Sequence, residues 1–338
     1  MAKTPVLIDT DVDIDDWMAI LYLLLHPEVD VLGVTVTGAG ASHLSFGVKN
    51  ALGLVALAGK PDTPVAAGAK APLLYSNVFS ASIRGPIDAT YNVPLPVNPN
   101  PAVSESATDF LVKTLTSCSE PVTILAIGGG TNLGTLLRDH PEVVPKIRHV
   151  VMMGGAIKVP GNVNVVDADY SNTVAEWNFF IDPLGAKLLF DSGVAITLVP
   201  LDASDLVPIN LPFYDRLQQR HVTPAAAFIY QVMTADIAFV QSGNFFAWDP
   251  LAAAILTDES IGRFTDLKLS IVQELDEEND HSAQLVETAD GAKVRTALWA
   301  DADRFYDRWL TVINGAYGEV SSRAFSEGPG RAERQIVP

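Results

Sequence analysis

Residues 5–25 read PVLIDTDVDIDDWMAILYLLL. An apolar run, Val6 to Asp9, has the composition of a buried strand, and the run from Asp16 to Leu25 is long enough and apolar enough for a buried helix. Between them lie Asp9, Asp11, Asp13, Asp15 and Asp16, five carboxylates within eight residues. A strand that passes directly into a helix places the connecting residues at the carboxyl edge of a parallel sheet, where α/β proteins bind ligands. Five carboxylates at such an edge repel one another unless solvent, a cation or hydrogen-bond donors compensate them. A hard cation with oxygen ligands is the simplest compensation. One or two of the five need no such role, because Asp15 or Asp16 can cap the helix.

The same alternation runs through the chain. Strands are expected at Val29–Thr37, Val122–Ile127, His149–Met153 and Ala195–Leu201. Helices are expected at His43–Leu57, Ser104–Thr116, Asn132–Arg138, Pro183–Phe190, Pro224–Val240 and Pro250–Leu256. This pattern predicts an α/β fold with a mainly parallel central sheet, and the continuously apolar strands place helices on both of its faces. The segment Tyr75–Ser104 holds Gly85, Pro86, Pro94, Pro96, Pro99 and Pro101, which argues against a regular helix and for a lid or active-site loop. One domain over residues 1–318 is expected, then a loosely packed tail over 319–338. The acidic stretch Glu274–Asp280 reads as a solvated hairpin or loop.

Composition narrows the function. Of 338 residues, 48% are apolar and 18% charged, and 22 Lys and Arg against 40 Asp and Glu give a net charge of -18. Nucleic-acid backbones and anionic membranes would be repelled. Apolar runs fall far short of a bilayer span, and the N-terminus lacks the apolar core of a signal peptide. Cys118 is the single cysteine, which excludes an intrachain disulfide and a thiolate metal cluster and suits a cytoplasmic location. All six histidines (His26, His43, His140, His149, His221 and His281) lie away from the chemistry-bearing blocks, so a Ser-His-Asp or Cys-His engine has no support. Neither a Walker loop nor a dinucleotide fingerprint is present; Gly38-Ala39-Gly40 is followed by His43 where a third glycine is required.

Three readings of the carboxylates compete. An EF-hand needs Gly and Glu at its sixth and twelfth loop positions, where Ile14 and Ile20 stand. A phosphohydrolase of the haloacid-dehalogenase type opens with a strand and Asp-x-Asp, which Asp9-Thr10-Asp11 meets, but Asp13 stands where Thr or Val belongs. The third pattern, Asp-x-Asp-x-x-x-Asp-Asp, places Asp9, Asp11, Asp15 and Asp16 in register.

That octad resembles the N-terminal signature of the nucleoside hydrolases, calcium-dependent nucleoside N-ribohydrolases, and further blocks follow in the family's order. They are Met153-Gly154-Gly155, Gly161-Asn162, Ala175-Glu176-Trp177-Asn178, Asp182-Pro183 and Ala247-Trp248-Asp249-Pro250. Ile127-Gly128-Gly129-Gly130 is similar to a loop that offers a carbonyl to the metal, and Val294-Arg295-Thr296-Ala297 and Asp301-Ala302-Asp303-Arg304-Phe305 are similar to the closing strand and helix. The likeness spans about residues 5 to 315.

The resemblance implies a single-domain nucleoside-hydrolase-type fold and hydrolysis of the N-glycosidic bond of ribonucleosides, in nucleoside salvage. It implies Ca2+ held by Asp11, Asp16, Asp249 and the carbonyl of Ile127, with Asp11 also the general base that activates water. Asp15, Asn162, Glu176 and Asn178 are implied to hydrogen-bond the ribose hydroxyls, with Met153 against the sugar. Trp248, where uridine- and inosine-specific relatives often carry His, is similar to the purine-preferring branch and implies stacking on the base. A second aromatic is expected from Tyr75, Phe79 or Tyr91, or from Phe245 or Phe246. Gly38-Ala39-Gly40 departs from the polar turn of many relatives. A homodimer or homotetramer is implied by the family alone. The alternatives are hydrolysis of another N-riboside, a metal-dependent phosphohydrolase, and a riboside-binding protein without turnover.

Overall fold

The computed structural model describes residues 3–273 and 280–316. Most of Glu274–Asp280 and the tail 319–338 lie outside the described residues. Nine strands form one sheet: β1 Thr4–Thr10, β2 Val29–Val36, β3 Val65–Ala67, β4 Val122–Ile127, β5 Ile147–Met153, β6 Ile196–Val199, β7 Gly262–Ile271, β8 Leu285–Glu287 and β9 Ala292–Ala300. Their order is β3-β2-β1-β4-β5-β6-β9-β7-β8. Neighbours from β3 to β9 run parallel, whereas β7 is antiparallel to both β9 and β8.

The parallel part follows the expected α/β pattern, and every one of the strands expected from the sequence is present. The end of the last one is corrected: β6 stops at Val199, because Pro200 N-caps a short helix, Leu201–Ser204, to which Leu201 belongs. In β7 exposed and buried positions interleave rather than form a continuous apolar run, which suits an antiparallel strand with one wet face.

The helix Ile14–Leu25 is buried along its whole length as far as Leu24. It packs against β2 and against the helices Trp248–Thr257 and Ala302–Ile313, and the Trp309 indole N–H donates to the Met18 carbonyl at 3.3 Å. The packing on Trp248–Thr257 sets the two halves of the carboxylate motif, near residues 15 and 249, side by side. The expected helix Pro224–Val240 is two helices, Pro224–Ala235 and Ile237–Ser242, which break at Asp236 (φ -118°, ψ 50°).

The expectation of no regular helix within Tyr75–Ser104 is also corrected. Residues Ala81–Asp88 form a helix with Pro86 inside it. A helix of eight residues can forgo the one backbone bond that proline removes when side chains dock it elsewhere. After it, Thr90, Tyr91 and Asn92 all take left-handed backbone angles (φ 50°, 50° and 62°). The Thr90 hydroxyl holds this turn by donating to the carbonyls of Ala89 and Val93.

Candidate active site

At the carboxyl ends of β1, β4 and β5 lies a cavity of about 360 Å³, and all ten residues singled out from the sequence line it: Asp11, Asp15, Asp16, Ile127, Met153, Asn162, Glu176, Asn178, Trp248 and Asp249. Register explains three of them. Thr10 pairs with Ile127 across β1 and β4, and Met152 pairs with Ala126 across β5 and β4, so Asp11, Ile127 and Met153 emerge at one level of the sheet edge.

Local chemistry shapes the acidic turn. Val12 takes a left-handed φ of 66°, which reverses the chain between Asp11 and Asp13. Asp13, rather than Asp15 or Asp16, is the N-cap of the helix; its carboxylate accepts from the Ile14 N–H, and Asp16 accepts from the Asp13 N–H at 3.0 Å. Two aspartates thus build the reciprocal capping arrangement usually made by Ser or Thr with Glu. Thr10 donates its hydroxyl to Asp16 and accepts the Val12 N–H.

Carboxylate oxygens of Asp15, Asp16 and Asp249 lie within 4.8 Å of one another. Asp15, expected at the sugar, therefore stands in the cluster with two expected metal ligands, and Asp11 and the end of β4 border the same cavity. The Asp11 carboxylate accepts the Ala41 N–H at 2.8 Å. Burial, with Asp11 close by, raises the Asp15 carboxyl to about 7. Burial and then neighbouring carboxylates raise Asp16 and Asp249 well above the usual range. Asp9, behind the turn, accepts from the Thr35 hydroxyl and the Asn132 amide, yet burial still lifts it to about 6.

These are carboxylates short of partners. Oδ1 of Asp249 and Oδ2 of Asp9 are buried with no hydrogen-bond donor. A buried acidic oxygen without a donor, Oδ1 of Asp249, set beside the carboxylates of Asp15 and Asp16, fits a hard divalent cation, which takes six or more oxygen ligands and reverses the local penalty on negative charge.

The opposite wall is differently made. Glu176 and Asn178 sit at the start of one short helix. Glu176 N-caps the helix Trp177–Ile181 and accepts from the N–H groups of Asn178, Phe179 and Gly155. Burial nevertheless raises its carboxyl to about 7. Asn162 accepts the Trp177 N–H at 3.1 Å, and the Asn178 amide points to the Met153 carbonyl at 3.4 Å.

Aromatic rings share the lining. Of the expected candidates, Phe79 and Tyr91 line the cavity; Tyr75, whose hydroxyl donates to the Gln273 carbonyl, does not. Phe245 and Phe246 are absent from the wall and pack at 5.9 and 6.1 Å from Trp248. Trp177, Phe239 and Asp236 belong to the wall and were missed. Trp177, stacked on Phe79 with centroids 3.9 Å apart, stood inside a quoted block; Phe239 and Asp236 carried no signal in a segment read as one continuous helix.

The family profile described as inosine-uridine preferring nucleoside hydrolase matches residues 6–307. An uncharacterized protein of Schizosaccharomyces pombe is 37% identical over 202 residues, 58% of this chain and 61% of its own length. The pyrimidine-specific ribonucleoside hydrolase RihA of Escherichia coli O127:H6 is 33% identical over 217 residues, 63% of this chain and 65% of its own length. The matched region thus spans less than two thirds of each of these curated relatives. A solved structure, the purine-preferring ribonucleoside hydrolase from Gardnerella vaginalis, superposes with a TM-score of 0.77 at 25% identity, covering 93% of this chain and 99% of that one. With a profile match over nearly its whole length and the expected carboxylates gathered at one sheet edge, the chain belongs to the inosine-uridine preferring nucleoside hydrolase family.

Proposed function

We propose that this protein hydrolyses the N-glycosidic bond of ribonucleosides to free base and ribose, with purine nucleosides preferred. The observation that carries the reading is the convergence of ten residues, from Asp11 to Asp249, on one cavity lined by both carboxylates and aromatic rings. Cleaving a ribosyl C–N bond requires an activated water, stabilisation of a cationic oxocarbenium-like sugar, and departure of a poor leaving group.

Asp11, Asp16, Asp249 and the Ile127 carbonyl would hold Ca2+, and Asp15, with a carboxylate oxygen within 4.8 Å of those of Asp16 and Asp249, would share in that role. Bound there, calcium would lower the pKa of a water and orient it. Asp11 takes the proton from that water, its carboxylate held by the Ala41 N–H. Asn162, Glu176 and Asn178, with Asp15, face the ribose hydroxyls, and Met153 lies under the ring. The surrounding negative charge favours the cationic sugar in the transition state. Trp248, with Phe79 and Tyr91 across the cavity, offers π-faces on which a departing purine stacks.

A second reading, pyrimidine preference, is favoured by the likeness to a relative named as pyrimidine-specific. Among the described residues no helix is long and apolar enough to cross a membrane. The proposed role is in cytoplasmic nucleoside salvage. Product analysis of purified protein with inosine, adenosine, guanosine, uridine and cytidine tests the proposal, with calcium and then with chelator. Calcium-dependent release of base and ribose, fastest from purines, is expected. Faster release from uridine and cytidine would favour the second reading, and release from none would remove the assignment.

A further inference from the structure

The helix Ala81–Asp88 covers the cavity with Ser82, Ile83, Pro86 and Ile87, but its one arginine is not among the lining residues. Arg84 is 8% exposed. Its Nη2 donates to the carbonyls of Gly38 at 3.0 Å and Ser42 at 2.8 Å. These carbonyls bracket a turn that also holds Asp11, through Ala41 and Ser42. The Ala41 N–H donates to the Asp11 carboxylate at 2.8 Å, and the Ser42 hydroxyl and N–H donate to its carbonyl at 2.6 and 3.2 Å. Gly40 completes the fit, because a Cβ there would overlap the Asp11 carboxylate. The Gly38–Ser42 turn is thus pinned by a cation on one side and holds Asp11 on the other.

Burying a guanidinium is costly, and an aliphatic residue would pack the same helix without that cost. What an aliphatic residue lacks is a donor able to fix two carbonyls from one rigid, permanently charged nitrogen group. We propose that Arg84 is a positioning residue for Asp11: docking of the covering helix fixes the Gly38–Ser42 turn, and the turn fixes the carboxylate through the Ala41 N–H. The proton acceptor is therefore in place only when the cavity is covered. This rests on the nucleoside hydrolase reading for its kinetic consequence, though not for its structural one.

Two measurements on the full chain test it, with Arg84→Met and Arg84→Lys against the parent. Amide hydrogen exchange on the calcium-free protein reads the turn directly. Arg84→Met should speed exchange at Ala41 and Ser42 by about tenfold or more, with Arg84→Lys in between. Steady-state kinetics with calcium and whichever nucleoside the parent cleaves reads the consequence. Loss of an outer-sphere partner of this kind costs about 10- to 100-fold, expected here in kcat with KM changed only a few-fold, and partly restored by lysine. Unchanged exchange at Ala41 and Ser42 would overturn the proposal. So would a loss confined to KM, or lysine and methionine variants with equal kcat. If Arg84→Met does not fold, Arg84→Lys alone must show intermediate exchange and lowered kcat, and parental values in both would overturn the idea. A parent that cleaves no nucleoside refutes the proposed function instead, while the exchange comparison still decides whether Arg84 holds the turn.

Discussion

Gly40 stands so close to Asp11 that the smallest side chain at position 40 would occupy the space of its carboxylate. Gly40→Ala is therefore expected to rotate or displace Asp11 while leaving the sheet intact. A displacement of about 1 Å in a reacting group can cost on the order of 100-fold, so kcat/KM should fall by about that factor with a far-ultraviolet circular dichroism spectrum like the parent's. Parental activity in this variant would show that Asp11 has room to spare.

Asp11→Ala removes a proton acceptor and an implied metal ligand together. Turnover should drop by about three orders of magnitude or more, since general-base catalysis alone contributes about 10²–10⁴-fold. Single-turnover kinetics at saturating calcium measure this, and a loss below tenfold would assign the base elsewhere.

Trp248→Ala separates stacking from simple packing. If the indole face assists departure of the base, inosine hydrolysis should suffer about tenfold more than hydrolysis of nitrophenyl riboside, whose leaving group needs no assistance. Equal losses on the two substrates would reduce Trp248 to a wall.

The carboxylates also set a pH dependence for the metal-free chain. Asp9, Asp15 and Glu176 rise to about 6, 7 and 7 in the fold from ordinary values of 3.8, 3.8 and 4.5, each through burial first. The folded chain then binds more protons than the unfolded one, so the stabilisation is whole below the unfolded values and is lost as pH rises through the folded ones. In chelator, the melting temperature should fall between about pH 4 and pH 7, and added calcium should raise it most above about pH 7. A melting temperature in chelator that climbs over this interval would contradict the account.

What could be read from the sequence followed from how local each signal is. The run from Val6 to Leu25 declares a strand, a charged turn and a buried helix within one window, and both fold class and the first half of the site follow from it. Asp249 was found through a motif, not through physics, because nothing local distinguishes it from a helix-capping aspartate. The antiparallel strand Gly262–Ile271 escaped because its wet face breaks up the apolar run. The covering helix escaped because Gly85 and Pro86 argue against helix, and only tertiary bonds such as those of Arg84 override them. Glu176 lines the cavity, but its role as a helix cap was not legible, since a cap looks like an extended residue until the backbone N–H groups it accepts are known.

The approach of Asp249 to Asp15 joins points 234 residues apart in the chain, which bears on how the protein comes into being. A cation clasp whose ligands lie close in sequence can organise a nascent chain early, as in small metal-nucleated domains. Here Asp249 does not exist on the ribosome until nearly three quarters of this sequence has been made. A cation that needs both Asp15 and Asp249 would have no complete site before then. The packing of the helix Ile14–Leu25 against Trp248–Thr257 brings these like charges together, and a cation held between them would lock the two ends of the sequence to each other.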